Sequence, residues 1–210
     1  GEIDRLTKII KPDVGIITNI SYAHAKNFKS IFDIAKAKAE IIKNIKKNGS
    51  IVLNADDKFF SIHKKIAKKR KLNIVSFGYF YKSDIKLKKL KKIKNYYNIE
   101  VQIFDELKKF EIRYKYKNYI KNILSALAIL HLLKITKNLK PNFFKNFSIP
   151  EGRGDITKIK FKNKKIFLID ESYNSNPLSL SSAISNFSNI AIQSQKKHLL
   201  MGDMLELGKH

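Results

Sequence analysis

The chain has 210 residues, of which 43% are hydrophobic, and 43 basic against 18 acidic residues give it a formal net charge of +25. This length and apolar content are enough for one sizeable core, or for one core and part of a second. The sequence has no cysteine, which excludes disulfides and thiolate metal sites, and its longest apolar stretch, residues 123–133, is too short to cross a membrane.

The positive charge keeps nucleic-acid binding open as an alternative function. Two lysine-rich runs, residues 64–71 and 88–94, would suit contacts with phosphates. The excess is almost entirely lysine, however, with four arginines in the whole chain, and it is spread along the sequence. The sequence has no base-reading module and no aromatic–basic repeat. We therefore interpret most of the charge as a solvated surface.

The first part of the chain alternates predicted strands and helices. Residues 14–20, 51–54 and 74–77 are predicted strands, and a helix near residues 58–69 separates the last two. A longer helix begins after Ser30, which has the character of an N-cap. Its apolar stripe at helical spacing, within which Lys38 also falls, consists of Ile31, Ile34, Ala35, Ile41, Ile42 and Ile45. This alternation predicts an α/β fold with a parallel, doubly wound sheet.

The pattern changes in the later part of the chain. Residues 98–104 and 110–114 alternate in polarity and predict a small antiparallel set, followed by an apolar helix over residues 120–133. The prolines and glycines of residues 140–155 indicate a domain boundary, which gives domains of residues 1–152 and 153–210. Beyond the boundary we predict a helix and three strands, over residues 177–190 and over residues 156–161, 165–169 and 198–201.

The polar segment directly after the predicted strand of residues 165–169 is the strongest functional signal in the sequence. Residues 166–169 form an unbroken apolar run that predicts a strand buried on both faces, and residues 170–177 read Asp-Glu-Ser-Tyr-Asn-Ser-Asn-Pro. In open α/β sheets, ligands bind at the carboxyl ends of the strands. The structural alternative is a loop in which Asn174 or Asn176 caps the helix that Pro177 begins.

Residues 170–177 resemble the Asp-Asp-Ser-Tyr-Asn-Ala-Asn-Pro motif of one branch of the Mur ligase family. Further matches follow in the order that the family requires: residues 1–3, 11–13, 18–24, 34–41, 54–57, 152–153 and 202–208. The resemblance implies the later part of a P-loop-type central ATPase domain, followed by the start of a Rossmann-like carboxy-terminal domain. The family's glycine-rich phosphate loop and its upstream magnesium-binding glutamate are not in this sequence. We expect them ahead of Gly1, so residues 1–210 alone are expected to be inactive.

The activity that the resemblance implies is ATP-driven amide formation in peptidoglycan synthesis. This branch joins D-alanyl-D-alanine to UDP-N-acetylmuramoyl-tripeptide through an acyl phosphate, with ATP and Mg²⁺ as cofactors. A sister Mur ligase or a folylpolyglutamate synthase is the nearer alternative. The resemblance further implies a cytoplasmic, monomeric enzyme that has no membrane segment and binds no nucleic acid.

Site residues follow from the resemblance position by position. His24 matches a magnesium ligand, and Lys38 matches a catalytic lysine whose carbamate binds the second magnesium. Arg153 matches a catalytic arginine that contacts ATP phosphate, and Asn122 an asparagine beside the adenine. Glu171 takes the position of the ribose-binding carboxylate. The remaining implied residues are Asp170 and Tyr173 at the nucleotide, and Asn174 and Asn176 at the acceptor substrate.

Each of these residues also has a structural alternative. A lone loop histidine such as His24 is commonly polar surface, and Arg153 could be a surface arginine in a linker. Lys38 could bury its stem and keep its ammonium in water, since it shares the apolar stripe of its helix. Asn122 could be an ordinary polar residue in the first turn of the apolar helix. The sequence before it, Tyr-Lys-Asn-Tyr at residues 116–119, departs from the Gly-x-His-Asn that the family usually has there.

Overall fold

The computed structural model describes residues 1–22, 27–113, 117, 119–189 and 196–204. The chain divides into two compact units. The first unit comprises residues 1–20 and 35–147, and the second unit comprises residues 21–34 and 148–210.

A six-stranded mixed sheet forms the centre of the first unit. Its strands follow one another in chain order; β1 to β4 pair in parallel, and β4, β5 and β6 pair antiparallel. The elements up to residue 147 are α1 (Glu2–Ile10), β1 (Val14–Ile17), α2 (Ile31–Asn44), β2 (Ser50–Asn54), α3 (Phe60–Lys69), β3 (Asn73–Gly78), β4 (Ile85–Ile93), β5 (Tyr96–Ile103), β6 (Glu106–Arg113), α4 (Ile120–Leu132) and a 3₁₀ turn (Thr136–Asn138). The first four residues of α2 fall in the second unit. The α/β class and the antiparallel set are confirmed.

Helix α1, strand β4 and the 3₁₀ turn were not predicted. Helix α1 is held at its end by Thr7, whose backbone oxygen accepts from the Lys11 N–H at 2.8 Å. Strand β4 contains the lysine-rich run that we interpreted as solvated surface, and many of its lysines are indeed exposed. A shift of register between Leu87 and Lys89 breaks its alternation. The sequence of β4 therefore lacks the regular alternation of apolar and polar residues by which a strand is recognised.

The parallel part of the sheet is buried on both faces. Val52 on β2 lies in one core cluster with Leu124 and Leu127 of α4. On the other face, Gly15 of β1 lets α2 approach closely, because a Cβ there would lie 3.4 Å from Ile41 Cδ1 and 2.8 Å from the Cδ1 atom of Ile45. Helices α2 and α4 therefore cover opposite faces of the sheet.

The apolar stripe of α2 packs as predicted. Ile34, Ala35, Ile42 and Ile45 are buried, and Lys38 is half-buried within the same stripe. Most of the stripe thus faces the core, while a single lysine is held at its margin. This partial burial is compatible both with a snorkelling lysine and with a reactive amine.

The start of α2 is capped as predicted. The Ser30 hydroxyl donates to the Asp33 carboxylate at 2.8 Å and accepts from the Asp33 N–H at 3.2 Å. The pair satisfies one of the N–H groups that the first turn of a helix leaves without a partner. The predicted N-cap, Ser30, is therefore present.

The second unit contains the hairpin β7 (Asp155–Phe161) and β8 (Lys164–Asp170), followed by α5 (Pro177–Asn189). The prediction of a strand buried on both faces is wrong here: β8 is antiparallel to β7, and Ile166 and Leu168 are 45% and 47% exposed. An apolar run specifies an extended strand, but burial also needs layers packed on its faces. The predicted strand over residues 198–201 is also wrong, because residues 196–204 form no strand in the structure.

None of the described helices is long and apolar enough to cross a membrane. The most apolar of them, α4, has 13 residues. A membrane-spanning helix needs about 20 residues.

Replacing Ile42 with alanine should lower the free energy of unfolding by about 2–5 kcal/mol, because the side chain is fully buried and its loss leaves a cavity. The matched control is Ile62→Ala on α3, since Ile62 is 39% exposed and its loss should cost about 0.5 kcal/mol or less. Denaturant unfolding of both variants measures the difference. Equal losses would contradict the assignment of the α2 stripe to the core.

Candidate functional site

The carboxyl ends of the first parallel strands are joined by side-chain hydrogen bonds. We call residues 18–20, 54–57 and 78–80 the carboxyl edge. The Asn54 amide, at the end of β2, donates to the Thr18 carbonyl at 2.8 Å. One oxygen of Asp57 accepts from the Ile20 N–H and the other from the Phe59 N–H, both at 2.8 Å. The loops after β1 and β2 are therefore fixed to each other, at the edge where α/β proteins bind ligands.

Asp56 joins the same edge to the next strand and to α4. Its carboxylate accepts from the Tyr79 N–H at 3.0 Å and the Phe80 N–H at 2.9 Å, and it pairs with the Lys121 ammonium at 3.0 Å. Burial raises the pKa of Asp56, but the Tyr79 N–H, Lys121 and the Phe80 N–H outweigh it and hold that pKa below its ordinary value. The charged carboxylate therefore adds stability above its ordinary pKa, and this is lost as the pH falls through the lowered value.

Asn122 lies in the first turn of α4, directly after Lys121, and its side chain is exposed. Its backbone carbonyl accepts from the Ser125 hydroxyl at 2.8 Å. Because Asp56 binds Lys121, the beginning of α4 is fixed beside the carboxyl edge. The predicted adenine contact is thus close to the ends of β2 and β3 and free to meet a ligand.

The predicted metal site is only partly within the described residues. His24 lies outside them. Lys38 is on α2 and Asn122 on α4, helices that cover opposite faces of the sheet. Within the described ranges no three histidine, aspartate or glutamate side chains are grouped so that they could hold a metal. The carboxylates of Asp56 and Asp57 accept from the backbone groups named above, so they serve the fold.

In the second unit, the turn before β7 and the segment after β8 are in direct contact. The Tyr173 N–H donates to the Gly152 carbonyl at 3.1 Å. Gly152 is buried with a φ of +73°, and a Cβ there would lie 3.1 Å from the Tyr173 nitrogen. Both the backbone conformation and the close approach therefore favour glycine. The Arg153 guanidinium lies 4.3 Å from the centroid of the Tyr173 ring, a cation–π contact.

Three carboxylates lie on the same two segments as this contact. Asp155 and Asp170 are partners across the β7–β8 ladder, and Glu171 follows directly. Hydrogen bonds from the side chain and the N–H of Ser172 lower the pKa of Asp170. Loss of solvation, and then the charges of Asp155 and Asp170, raise the pKa of Glu171, although its surface is largely exposed and solvent screens the effect. The segment therefore offers one firmly ionised acceptor beside one that protonates more readily.

The structure places Arg153 against Tyr173, and Asp170 and Glu171 precede Tyr173 on the same segment. Asn122, also predicted to contact the nucleotide, lies on α4. Their roles as nucleotide contacts stay a prediction. Asn174 is exposed on the segment that carries Tyr173. Asn176 caps α5, because its side-chain oxygen accepts from the Leu178 and Ser179 N–H groups, both at 3.0 Å. The structural alternative therefore holds for Asn176, and only its amide NH₂ group is left for a substrate.

Sequence reasoning missed Asp56, Lys121 and Tyr79. A signal for Asp56 was available, since Asn-Ala-Asp-Asp at residues 54–57 directly follows a predicted strand. The partners of Asp56 come from two distant segments, and no local pattern in the sequence links them.

Replacing Asn176 with alanine should cost about 1 kcal/mol in the stability of α5, because two N–H groups of its first turn lose their acceptor. Hydrogen exchange should show about fivefold faster opening of the α5 amides. Asn176→Ser should largely preserve protection, and Asn174→Ala is the matched control on the same segment. Unchanged exchange in Asn176→Ala would contradict the capping assignment.

The chain has clear relatives among characterised proteins. Residues 1–130 match the Mur ligase middle domain. A UDP-N-acetylmuramoyl-tripeptide–D-alanyl-D-alanine ligase of Rickettsia prowazekii is 30% identical over 99% of this chain and 45% of its own length. The ligase of the same name from Buchnera aphidicola subsp. Acyrthosiphon pisum is 34% identical over 100% of this chain and 45% of its own.

The same likeness appears in three dimensions. A crystal structure of MurF from Acinetobacter baumannii superimposes with a TM-score of 0.80 and 25% identity, covering 99% of this chain and 43% of that one. The structure of MurF ligase from Thermotoga maritima in complex with ADP has the same fold, with a TM-score of 0.78 at 24% identity over 46% of its length. The chain spans less than half the length of the curated relatives it matches. On these grounds, and on the match to the middle domain over more than half of its residues, the chain belongs to the Mur ligase family.

Proposed function

We propose that the protein containing residues 1–210 is an ATP-dependent amide ligase that joins D-alanyl-D-alanine to UDP-N-acetylmuramoyl-tripeptide in peptidoglycan synthesis. The observation that carries the proposal is the contact between two separate motifs, Gly152-Arg153 and residues 170–177. The Tyr173 N–H binds the Gly152 carbonyl, and the Arg153 guanidinium lies on the Tyr173 ring. The relatives that align with nearly the whole chain support the choice of branch, since their names state this reaction.

The reaction sets the requirements for the site. A carboxylate oxygen of the tripeptide attacks the γ-phosphorus of ATP, ADP leaves, and an acyl phosphate forms. The amine of the dipeptide then attacks the acyl carbon, phosphate leaves, and the amine loses a proton. Charge builds on the phosphoryl oxygens during the first step, so fixed hydrogen-bond donors and cations aimed at them lower the barrier.

The residues of the second unit can meet part of these requirements. Arg153 offers a planar fork of donors that suits phosphate oxygens, and its contact with the Tyr173 ring restricts its motion. Asp170 and Glu171 are acceptors for ribose hydroxyls, with Asp170 the more firmly ionised. Asn174 and the remaining NH₂ group of Asn176 are donors for the acceptor dipeptide. In the first unit, Asn122 can bind the polar edge of adenine.

Mg²⁺ belongs to the proposal as the partner of ATP. When bound, it would neutralise the phosphate oxygens. His24 and the carbamate of Lys38 are its proposed ligands. The described residues do not complete a donor set for it, so we assign no step of the reaction to the metal.

We also propose that residues 1–152 belong to the central ATPase domain and residues 153–210 to the carboxy-terminal domain. The later segment of the second unit begins at Ser148, close to this boundary. The proposal further includes cytoplasmic localisation and a monomeric state.

The choice of acceptor tests the function. Full-length protein supplied with ATP, Mg²⁺ and UDP-N-acetylmuramoyl-tripeptide should release phosphate when D-alanyl-D-alanine is added, and mass spectrometry should detect the pentapeptide product. Residues 1–210 alone should release no phosphate, because their sequence has no glycine-rich phosphate loop. If the full-length protein ligates free D-glutamate, lysine or meso-diaminopimelate faster than D-alanyl-D-alanine, it belongs to a sister branch of the family.

Lys38→Ala in the full-length protein should nearly abolish ligation, because the carbamate proposed on this half-buried amine would be lost. Lys43→Ala, an exposed position on the same helix, is the matched control and should keep activity. After equilibration with ¹³C-labelled carbon dioxide, NMR should show a carbamate carbon in the wild type and in Lys43→Ala, but not in Lys38→Ala. Full activity of Lys38→Ala in buffer depleted of carbon dioxide would contradict the carbamate and would show that Lys38 only buries its stem and keeps its ammonium in water.

A further inference from the structure

The turn after β3 presents three consecutive aromatic side chains to solvent. Tyr79, Phe80 and Tyr81 are 48%, 44% and 68% exposed. They follow Gly78 at the carboxyl edge, where the sheet is expected to bind ligands. Aromatic rings exposed in a group are unfavourable in water and are typical of surfaces that contact another molecule.

Tyr79 differs from its neighbours because its ring, as well as its backbone, is in contact with the Asp56–Lys121 pair. Its N–H is bound by both oxygens of Asp56 at 3.0 Å. The Lys121 ammonium, which Asp56 also binds at 3.0 Å, lies 5.2 Å from the centroid of the Tyr79 ring. Backbone and ring are therefore both fixed to one carboxylate.

The conformation of the turn depends on the same carboxylate. Gly78 has a φ of +154°, and a Cβ added there would lie 2.7 Å from an oxygen of Asp56. This close approach lets the N–H groups of Tyr79 and Phe80 converge on Asp56. The fold thus already restricts the conformation of Tyr79, so a ligand that contacts its ring would lose less conformational entropy on binding.

The Tyr81 ring is not held by Asp56 and Lys121 in this way, although the Tyr81 carbonyl accepts from the Lys86 ammonium of β4 at 2.7 Å. Its ring meets the edge of the Phe80 ring at 4.9 Å, and the ammonium of Lys82, the next residue in the chain, lies 5.4 Å from its centroid. These ring contacts lie within the turn itself. Tyr81 is therefore a natural control for Tyr79, with the same side chain two positions away.

We propose that Tyr79 stacks on the purine base of the bound nucleotide, and that Asp56 and Lys121 are its positioning residues. The inference rests on the proposed ATP-dependent function, and it extends the base site beyond Asn122. Asn122 follows Lys121 directly, so the lysine in contact with the Tyr79 ring and the predicted adenine contact lie in the same first turn of α4. Tyr79 would contribute affinity through the face of the base, and Asn122 selectivity through its polar edge.

The competing explanation is that the Tyr79 ring only shields the Asp56–Lys121 pair from water. Replacement of Tyr79 by leucine distinguishes stacking from shielding, because leucine still covers the Asp56–Lys121 pair with apolar atoms but has no aromatic ring to stack on a base. Phenylalanine keeps the ring and removes only the hydroxyl.

The test is calorimetric titration of the full-length protein with ADP and, separately, with inorganic tripolyphosphate, which has no base. Tyr79→Leu should weaken ADP binding about tenfold and leave tripolyphosphate binding within about twofold. Tyr79→Phe and Tyr81→Leu should bind ADP as the wild type does. Lys121→Met should weaken ADP by about threefold, again without loss of tripolyphosphate.

Wild-type affinity for ADP in Tyr79→Leu would overturn the inference and leave the proposed function intact. Equal losses of ADP and tripolyphosphate, with a lower melting temperature, would also overturn it, because they indicate a structural role. Loss of tripolyphosphate binding in Lys121→Met would make that lysine a phosphate contact and not a positioning residue. A wild-type protein that binds no ADP would overturn both the inference and the proposed function.

Discussion

The carboxyl edge of the first unit depends on one carboxylate, that of Asp56, whose side chain is only 16% exposed. It binds the N–H groups of Tyr79 and Phe80 and the ammonium of Lys121, so one side chain after β2 fixes the turn after β3 and the start of α4. A carboxylate removed from water is stable only when such partners replace its hydration. The need to satisfy this charge therefore determines the local shape of the edge on which the proposed base site is built.

In the second unit, two separate segments are held together by a backbone hydrogen bond, from the Tyr173 N–H to the Gly152 carbonyl. Gly152 has a positive φ and no side chain, which lets the Tyr173 backbone reach its carbonyl. Arg153 is then adjacent to the Tyr173 ring. A larger residue at position 152 would push the two segments apart, so the turn before β7 and the motif after β8 form one local structure. The proposed phosphate and ribose contacts depend on that structure.

Several residues of the motif serve the fold and are available to the proposed site only in part. The side-chain oxygen of Asn176 caps α5, and Asp170 binds Ser172. Such double use limits what each residue can do, because an oxygen that accepts from the backbone is not free for a substrate. By contrast, the side chains of Arg153 and Asn122 are exposed, which suits groups that must meet a ligand.

Hydrophobic period and local motifs in the sequence determined much of this protein: the strand–helix alternation, the stripe of α2, the capping pair Ser30 and Asp33, and the family through residues 170–177. These features depend on neighbours within about one helical turn or one strand, so a single segment carries the information. The tertiary structure alone decided the exposure of β8, the place of the lysine-rich run in β4, and the cluster of Asp56, Tyr79 and Lys121. Burial and charge pairing depend on residues that are distant in sequence, and their partners are defined only when the chain has folded.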